Sequence, residues 1–224
     1  MGADEMAQTV GEYVCLGALM ILRDLPRIVA AQREIHWERF EPSRTARATR
    51  VGIMGMGGIG QVAAGMLQGI GFPVHGWVRT QRAQGGVRCF AGPGELDAFL
   101  ACTDILVGIL PDTPETRGLL NAERLAQLPR GAGLVNAGRG TLIVMPDLLA
   151  ALDSGHLSLA VLDVFDPEPL PADDPAWRHP RVVVTPHLAG FASRRGRALS
   201  VARGIAQFAA GEPITNLYDP GRGY

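Results

Sequence analysis

Three short stretches in the second half of the chain carry side chains suited to acid–base and carboxylate chemistry. NAGRG (136–140) sets Arg139 between two glycines, DVFDPEPLP (163–171) carries Asp163 and Glu168, and TPHLAG (185–190) carries His187. An arginine can clamp a carboxylate through paired N–H bonds and polarise a neighbouring carbonyl. A histidine can exchange a proton near neutral pH, and a carboxylate beside it can orient the ring. Each residue also has a plain reading, as a surface charge, a solvated acid or a strand cap. Their shared position argues for chemistry, because each directly follows a short apolar run. His36, His75, His156 and His179 lack such a context and receive no role.

The apolar runs read as β-strands at 51–54, 73–78, 86–90, 104–109, 132–136, 158–164 and 181–184. Helical pieces fall between most of them, at 59–69, 94–101, 121–128 and 146–154. Near-continuous apolar strands alternating with helices predict an α/β fold, a doubly wound parallel sheet covered on both faces. Ligands in such sheets bind beyond the carboxyl ends of the strands, where Arg139, Asp163, Glu168 and His187 all fall. The connection 166–180 holds five prolines in fifteen residues, and a loop of that length in a compact domain is usually functional.

The first strand runs into Gly55-Met56-Gly57-Gly58-Ile59-Gly60, a G-x-G-x-x-G turn that opens a helix. Its first glycine permits the turn, the second lets backbone approach a pyrophosphate, and the third lets helix and strand pack closely. The helix start offers free N–H groups and a positive dipole end to phosphates. With the next strand at 73–78, the context predicts a dinucleotide site. An acid normally ends that second strand to hold the ribose hydroxyls of NAD. Here GWVRTQR places Arg79 nineteen residues beyond Gly60, with Arg82 close behind. A guanidinium binds a 2′-phosphate that a carboxylate would repel, so NADP (NADPH) is expected ahead of NAD. Nicotinamide, arginine and histidine together are the parts needed to reduce a 2-oxo acid.

Composition excludes several alternatives. The 224 residues are 47% hydrophobic and 19% charged, with a formal net charge of −1, which gives no electrostatic case for nucleic acid or a membrane surface. Cys15, Cys89 and Cys102 are widely spaced and suggest neither a disulfide framework nor a metal site. VCLGALMIL (14–22) is too short to span a bilayer and lacks a basic flank, so a soluble, cytoplasmic protein is expected. Residues 4–40 read as helical, with Met6, Val10 and Val14 at four-residue steps. Ile28, Ala31, Ile35 and Trp37 continue the stripe, and Pro26 can start a second helix. Residues 41–50 read as a polar loop.

The motifs MAQTVGEYV, GMGGIG, GWVRT, ILPDTPETRGLL, NAGRG, LDVFDPEPLP, HPRVVVTPHLAG and GRGY occur in that order along the whole chain. In this respect the sequence resembles the D-isomer-specific 2-hydroxyacid dehydrogenases, in particular their glyoxylate/hydroxypyruvate reductase branch. The resemblance implies that Arg139 binds and polarises substrate, that His187 donates the proton and that Glu168 is its partner. It also implies cofactor contacts from the Gly58-Ile59 turn, Thr80, Leu110, Pro111, Thr116, Ala137, Asp163, His187, Ala189 and Gly190, alongside Arg79. Members of this family begin with a flavodoxin-like substrate domain of about 100 residues. By that comparison this chain starts at a hinge helix and lacks most of that domain. The expected organisation is hinge and dimerisation helices over 1–45, a Rossmann domain over 46–190, and a C-terminal helix and tail over 191–224. A homodimer is expected, acting on a small 2-oxo or 2-hydroxy acid but turning over weakly. The alternative is a non-catalytic, dinucleotide-binding regulatory dimer.

Overall fold

The computed structural model describes residues 2–41, 44–80 and 86–214, with side chains from Glu5 onward. Among them, seven strands form one parallel sheet: β1 (Val51–Met54), β2 (Val74–Val78), β3 (Arg88–Ala91), β4 (Ile105–Gly108), β5 (Ala132–Asn136), β6 (Leu157–Leu162) and β7 (Val182–Val184). Their spatial order is β3-β2-β1-β4-β5-β6-β7. The order reverses between β1 and β4, which opens a crevice at their carboxyl ends. Each of the seven expected strands is present, with ends displaced by no more than two residues.

Alternate side chains feed two cores. On one face Val51, Ile53, Ile105, Val107, Val135, Leu159 and Val161 meet helices α1 (Gly2–Arg23) and α3 (Gly58–Ile70). On the other, Met54, Leu106, Leu134, Ala160 and Leu162 meet α4 (Leu96–Ala101), α5 (Ala122–Gln127) and α6 (Met145–Asp153). Both faces are covered, so the strands read as apolar runs and not as an alternating pattern. Small residues set the approach of the first layer. A Cβ on Gly17 would lie 2.9 Å from a methyl of Val135, so α1 rests directly on β5. α3 stops at Gly71, whose positive φ of 109° lets its N–H bond the carbonyls of Leu67 and Gln68.

The apolar row on α1 is used within the chain itself, since Val10 and Val14 are buried against α3 and the sheet while Met6 is half-exposed. Pro26 does stand in the first turn of a second helix, α2 (Leu25–Arg33). The helical reading to residue 40 is corrected, because α2 ends at Arg33 and Ile35 adopts a positive φ of 55°. Ile35 and Trp37 are 96% and 90% exposed, so the stripe ends where α2 runs out of covering surface. A final helix, α7 (Arg194–Ala209), packs against α1. No helix among the described residues is long and apolar enough to cross a membrane.

The amino-terminal edge of the sheet is tied by Asp104. Its carboxylate accepts bonds from the Arg50 backbone N–H (2.8 Å), the Arg50 guanidinium (2.8 and 3.0 Å) and Arg44 (2.6 Å). Burial opposes its charge, but these donors outweigh burial and hold the carboxyl at about 2. Nearby, His75 is buried between Phe90 and Phe99, with Nε2 2.8 Å from Thr103 Oγ1. Thr103 spends its own proton on the Phe99 carbonyl, so the imidazole is the donor. Burial, aided by the positive charge of Arg50, lowers His75 to about 4. A depressed pKa means that the unfolded chain gains the proton first, so stability is full above pH 6.5 and falls as the pH approaches 4. The loss near pH 4 is about 3 kcal/mol for this one group. Urea unfolding at pH 7 and pH 4.5 should show that decline in the native chain and a much smaller one in His75→Leu; equal declines would exclude the assignment.

Candidate active site

The glycine turn lies at the switch point. Gly55 has a φ of 107°, where an L side chain is strained, and a Cβ on Gly60 would drive into the Gly55 carbonyl. Cβ atoms on Gly57 or Gly58 would meet nothing within 4 Å, so that side of the turn is open. The N–H groups of Gly58, Ile59 and Gly60 begin α3 and have no partner within the helix. From this turn a groove of about 570 Å³ runs between the β2 end, at Arg79 and Thr80, and Leu110, Pro111, Ala137 and Arg139. Trp77 also lines it, its indole fixed by a 2.9 Å bond to the Gly92 carbonyl. Arg82 lies outside the described residues.

Arg139 is aimed by its loop. Asn136, fully buried at the end of β5, accepts from the Gly138 N–H (3.2 Å) and donates to the Arg139 carbonyl (3.0 Å). A Cβ on Gly138 would sit 3.0 Å from the backbone of Ile109 and Leu110, and one on Gly140 would collide with Phe165. The glycines flanking Arg139 therefore let its loop nest between two neighbouring strand ends. The guanidinium itself bonds the Gly138 carbonyl at 2.6 Å.

His187 and Glu168 meet across two loops. The imidazole Nδ1 lies 2.7 Å from one Glu168 oxygen, and the other accepts the Phe165 N–H at 2.9 Å. Burial raises the Glu168 carboxyl, but the bonds from His187 and Phe165 outweigh it, and the charges of His187 and Arg139 add to them. The carboxyl stays below its ordinary value. With Nδ1 committed to a carboxylate, Nε2 is the ring atom left to exchange a proton with a ligand. The His187 side chain is 51% exposed and its backbone holds a positive φ of 52°.

Asp163 explains how that backbone is held. The resemblance implies that it contacts the cofactor; in the structure its carboxylate lies beneath the His187 loop at 1% exposure. It accepts the Thr185 hydroxyl (2.5 Å), the Leu188 N–H (2.9 Å) and the Ala189 N–H (2.8 Å). The His187 N–H returns a 2.8 Å bond to the Asp163 carbonyl. Thr116 likewise acts on its own loop, donating to the Pro111 carbonyl (2.7 Å) and accepting from the Thr113 N–H (2.9 Å). Gly190 lies against α1, where a Cβ would be 3.4 Å from Val10. Among the described residues no His, Cys, Asp and Glu cluster could hold a metal ion.

A parallel doubly wound sheet, with a glycine turn at its reversal point and these side chains on the adjoining loops, defines the nucleotide-binding domain of a dehydrogenase. The chain belongs to the D-isomer specific 2-hydroxyacid dehydrogenases, whose NAD binding domain matches residues 16–189. Glyoxylate/hydroxypyruvate reductase A of Salmonella newport is 42% identical over 220 residues, covering 98% of this chain and 70% of the relative. A D-isomer specific 2-hydroxyacid dehydrogenase from Xanthobacter autotrophicus Py2, solved with NADPH and MES, superposes with a TM-score of 0.92 at 48% identity. That match covers 98% of this chain and 90% of that one. An NADPH-dependent glyoxylate/hydroxypyruvate reductase from Sinorhizobium meliloti, solved with NADP and sulfate, gives 0.93 at 40% identity, covering 98% and 71%.

Sequence reading missed Asn136, Thr185 and Tyr13, whose hydroxyl lies 2.7 Å from Thr185 Oγ1. Only Asn136 carried a local signal, an Asn at a strand end before a glycine turn. Removing the buried acceptor should be costly, because three donors lose their partner at once. Asp163→Ala is expected to lose about 3 kcal/mol or more in urea unfolding; a loss under about 1 kcal/mol would contradict the anchoring role.

Proposed function

We propose that the protein is an NADPH-dependent reductase of a small 2-oxo acid of the glyoxylate or hydroxypyruvate type. The observation that carries this reading is the pairing of His187 with Glu168, whose carboxylate also feels the charge of Arg139, a residue lining the groove that starts at the glycine turn. The turn fits the cofactor: Gly57 and Gly58 leave open the space that a pyrophosphate needs, and the N–H groups of α3 are unspent. Arg79 would hold the 2′-phosphate. When bound, NADPH supplies the hydride. Arg139 would pair with the substrate carboxylate and draw electron density from the adjoining carbonyl. His187 would give the Nε2 proton to the oxygen that becomes the hydroxyl, and Glu168 would fix the ring's tautomer and direction.

The relatives named above support both cofactor and substrate class, through the NADPH and NADP in the solved structures and the names of the reductases. The exposed side of His187 lacks a covering wall among the described residues, so a keto acid there meets solvent on one side. Turnover by these 224 residues is therefore expected to be slow, since misplacement by about 1 Å can cost about a hundredfold in rate. Ile35 and Trp37, with Leu16 on α1, leave apolar surface exposed and favour a homodimer, which light scattering at micromolar concentration would detect.

Two measurements test the reading. Fluorescence titration should show tighter binding of NADPH than of NADH, the preference disappearing in Arg79→Asp. Gly57→Ala should fold normally yet bind either cofactor at least about tenfold more weakly; equal affinities unmoved by Arg79→Asp would contradict the cofactor assignment. NADPH absorbance with glyoxylate and hydroxypyruvate should fall slowly with the native chain and not at all with His187→Ala. Equal rates in the two would remove His187 from the chemistry.

A further inference from the structure

The segment that carries His187 is fastened to α1 at three successive points. Tyr13 reaches Thr185 (2.7 Å), two residues before the histidine. Thr9 Oγ1 accepts the Phe191 N–H at 3.0 Å and lies 3.2 Å from the Phe191 carbonyl, four residues after it. Glu5 accepts both the N–H (3.2 Å) and the hydroxyl (3.0 Å) of Ser193, which itself caps α7 through the Gly196 N–H (2.9 Å). Glu5, Thr9 and Tyr13 stand four residues apart, so they form one row along the helix. The row runs beside the apolar row Met6, Val10 and Val14, whose last two members are locked into the core. α1 is thus a fixed rail, and residues 185–193 lie along it.

The direction of the hydrogen bonds follows from the acceptors. Asp163 offers only oxygens, so Thr185 must spend its single proton there. Thr185 Oγ1 then accepts from Tyr13, giving a relay from Tyr13 to Thr185 to Asp163 that ends at the N–H groups of Leu188 and Ala189. Burial, with the Asp163 charge adding and the Thr185 bond opposing, pushes the Tyr13 phenol up to about 12, so it remains a donor throughout the working range. His187, held at a positive φ, sits between the two ends of this clamp. A non-glycine residue persists in that conformation only where its surroundings impose it.

We propose that Glu5, Thr9 and Tyr13 are positioning residues for the reaction, setting the placement of the His187 imidazole from α1. This rests on the reading of His187 as proton donor, and the test separates the two. Tyr13→Phe keeps the ring packing and removes the donor; Thr9→Val removes the middle clasp. In protein labelled with 15N-histidine, the His187 ring signals are assigned by their loss in His187→Gln and followed through a pH titration. Both variants should move the His187 midpoint by about half a pH unit or more, with NADPH affinity changed less than twofold. Turnover of glyoxylate should drop about tenfold in kcat with little change in KM. Thr185→Ser, which retains the hydroxyl, should behave as the native chain, and Thr185→Val as Tyr13→Phe. Unmoved His187 titration in both clasp variants overturns the proposal, whether or not they melt earlier. If the native chain does not turn over glyoxylate, the catalytic reading fails, and the titration still decides whether α1 positions the ring.

Discussion

A carboxylate taken out of water must be fully bonded or its burial is ruinous, and the carboxyl edge of this sheet is organised around one such group. Asp163 sits at the end of β6 with almost no exposure and three donors converging on it. Two of those donors are backbone N–H groups from the residues just after His187. The bonds therefore do more than neutralise a burial cost: they define the path of the loop, and with it the unusual backbone angle at His187. Its bonded neighbour, Glu168, is presented by the same strand's continuation, so the paired histidine and acid hang from one anchor.

The topology supplies the other half of the site. Because β1 and β4 send their connections to opposite faces, the backbone between them parts, and the glycine turn fills the opening. Its glycines are not interchangeable. Gly60 is required by contact with the Gly55 carbonyl and Gly55 by its dihedral angle, whereas Gly57 and Gly58 face open space on the groove side of the turn. The loop bearing Arg139 repeats the logic at the end of β5, beyond β4, with Asn136 as its internal brace. Arg139 thus rests on a strand end, as the precise placement asked of it in the proposed reaction demands.

Much of this was legible in the residues. Apolar runs separated by helical pieces located every strand, since a sheet buried on both faces leaves an uninterrupted apolar signature. The pairing of Glu168 with His187 also agreed with the structure, because both follow strands that end on one edge. The errors have physical causes. Trp37 and Ile35 keep helical spacing with α2 but lie past its end, where no surface remains to cover them. Position along the chain also could not show that the Asp163 carboxylate lies beneath the His187 loop and binds its backbone. Tyr13 and Thr185 are separated by 172 residues, and no local periodicity reports a hydrogen bond over that distance. The row of Glu5, Thr9 and Tyr13 was visible as spacing, but its meaning depended on what α1 packs against.

In the proposed reaction one cleft brings the glycine turn, Arg139 and His187 to bear on the same small molecule. The most direct measurement is a crystal structure with NADPH and oxamate, a non-reducible isostere of glyoxylate. The expected result is the pyrophosphate on the N–H groups of Gly58 to Gly60, the 2′-phosphate on Arg79, the oxamate carboxylate on Arg139, and His187 Nε2 within hydrogen-bond reach of the amide oxygen. Oxamate bound away from Arg139, or His187 Nε2 turned from the ligand while Nδ1 still holds Glu168, would contradict it.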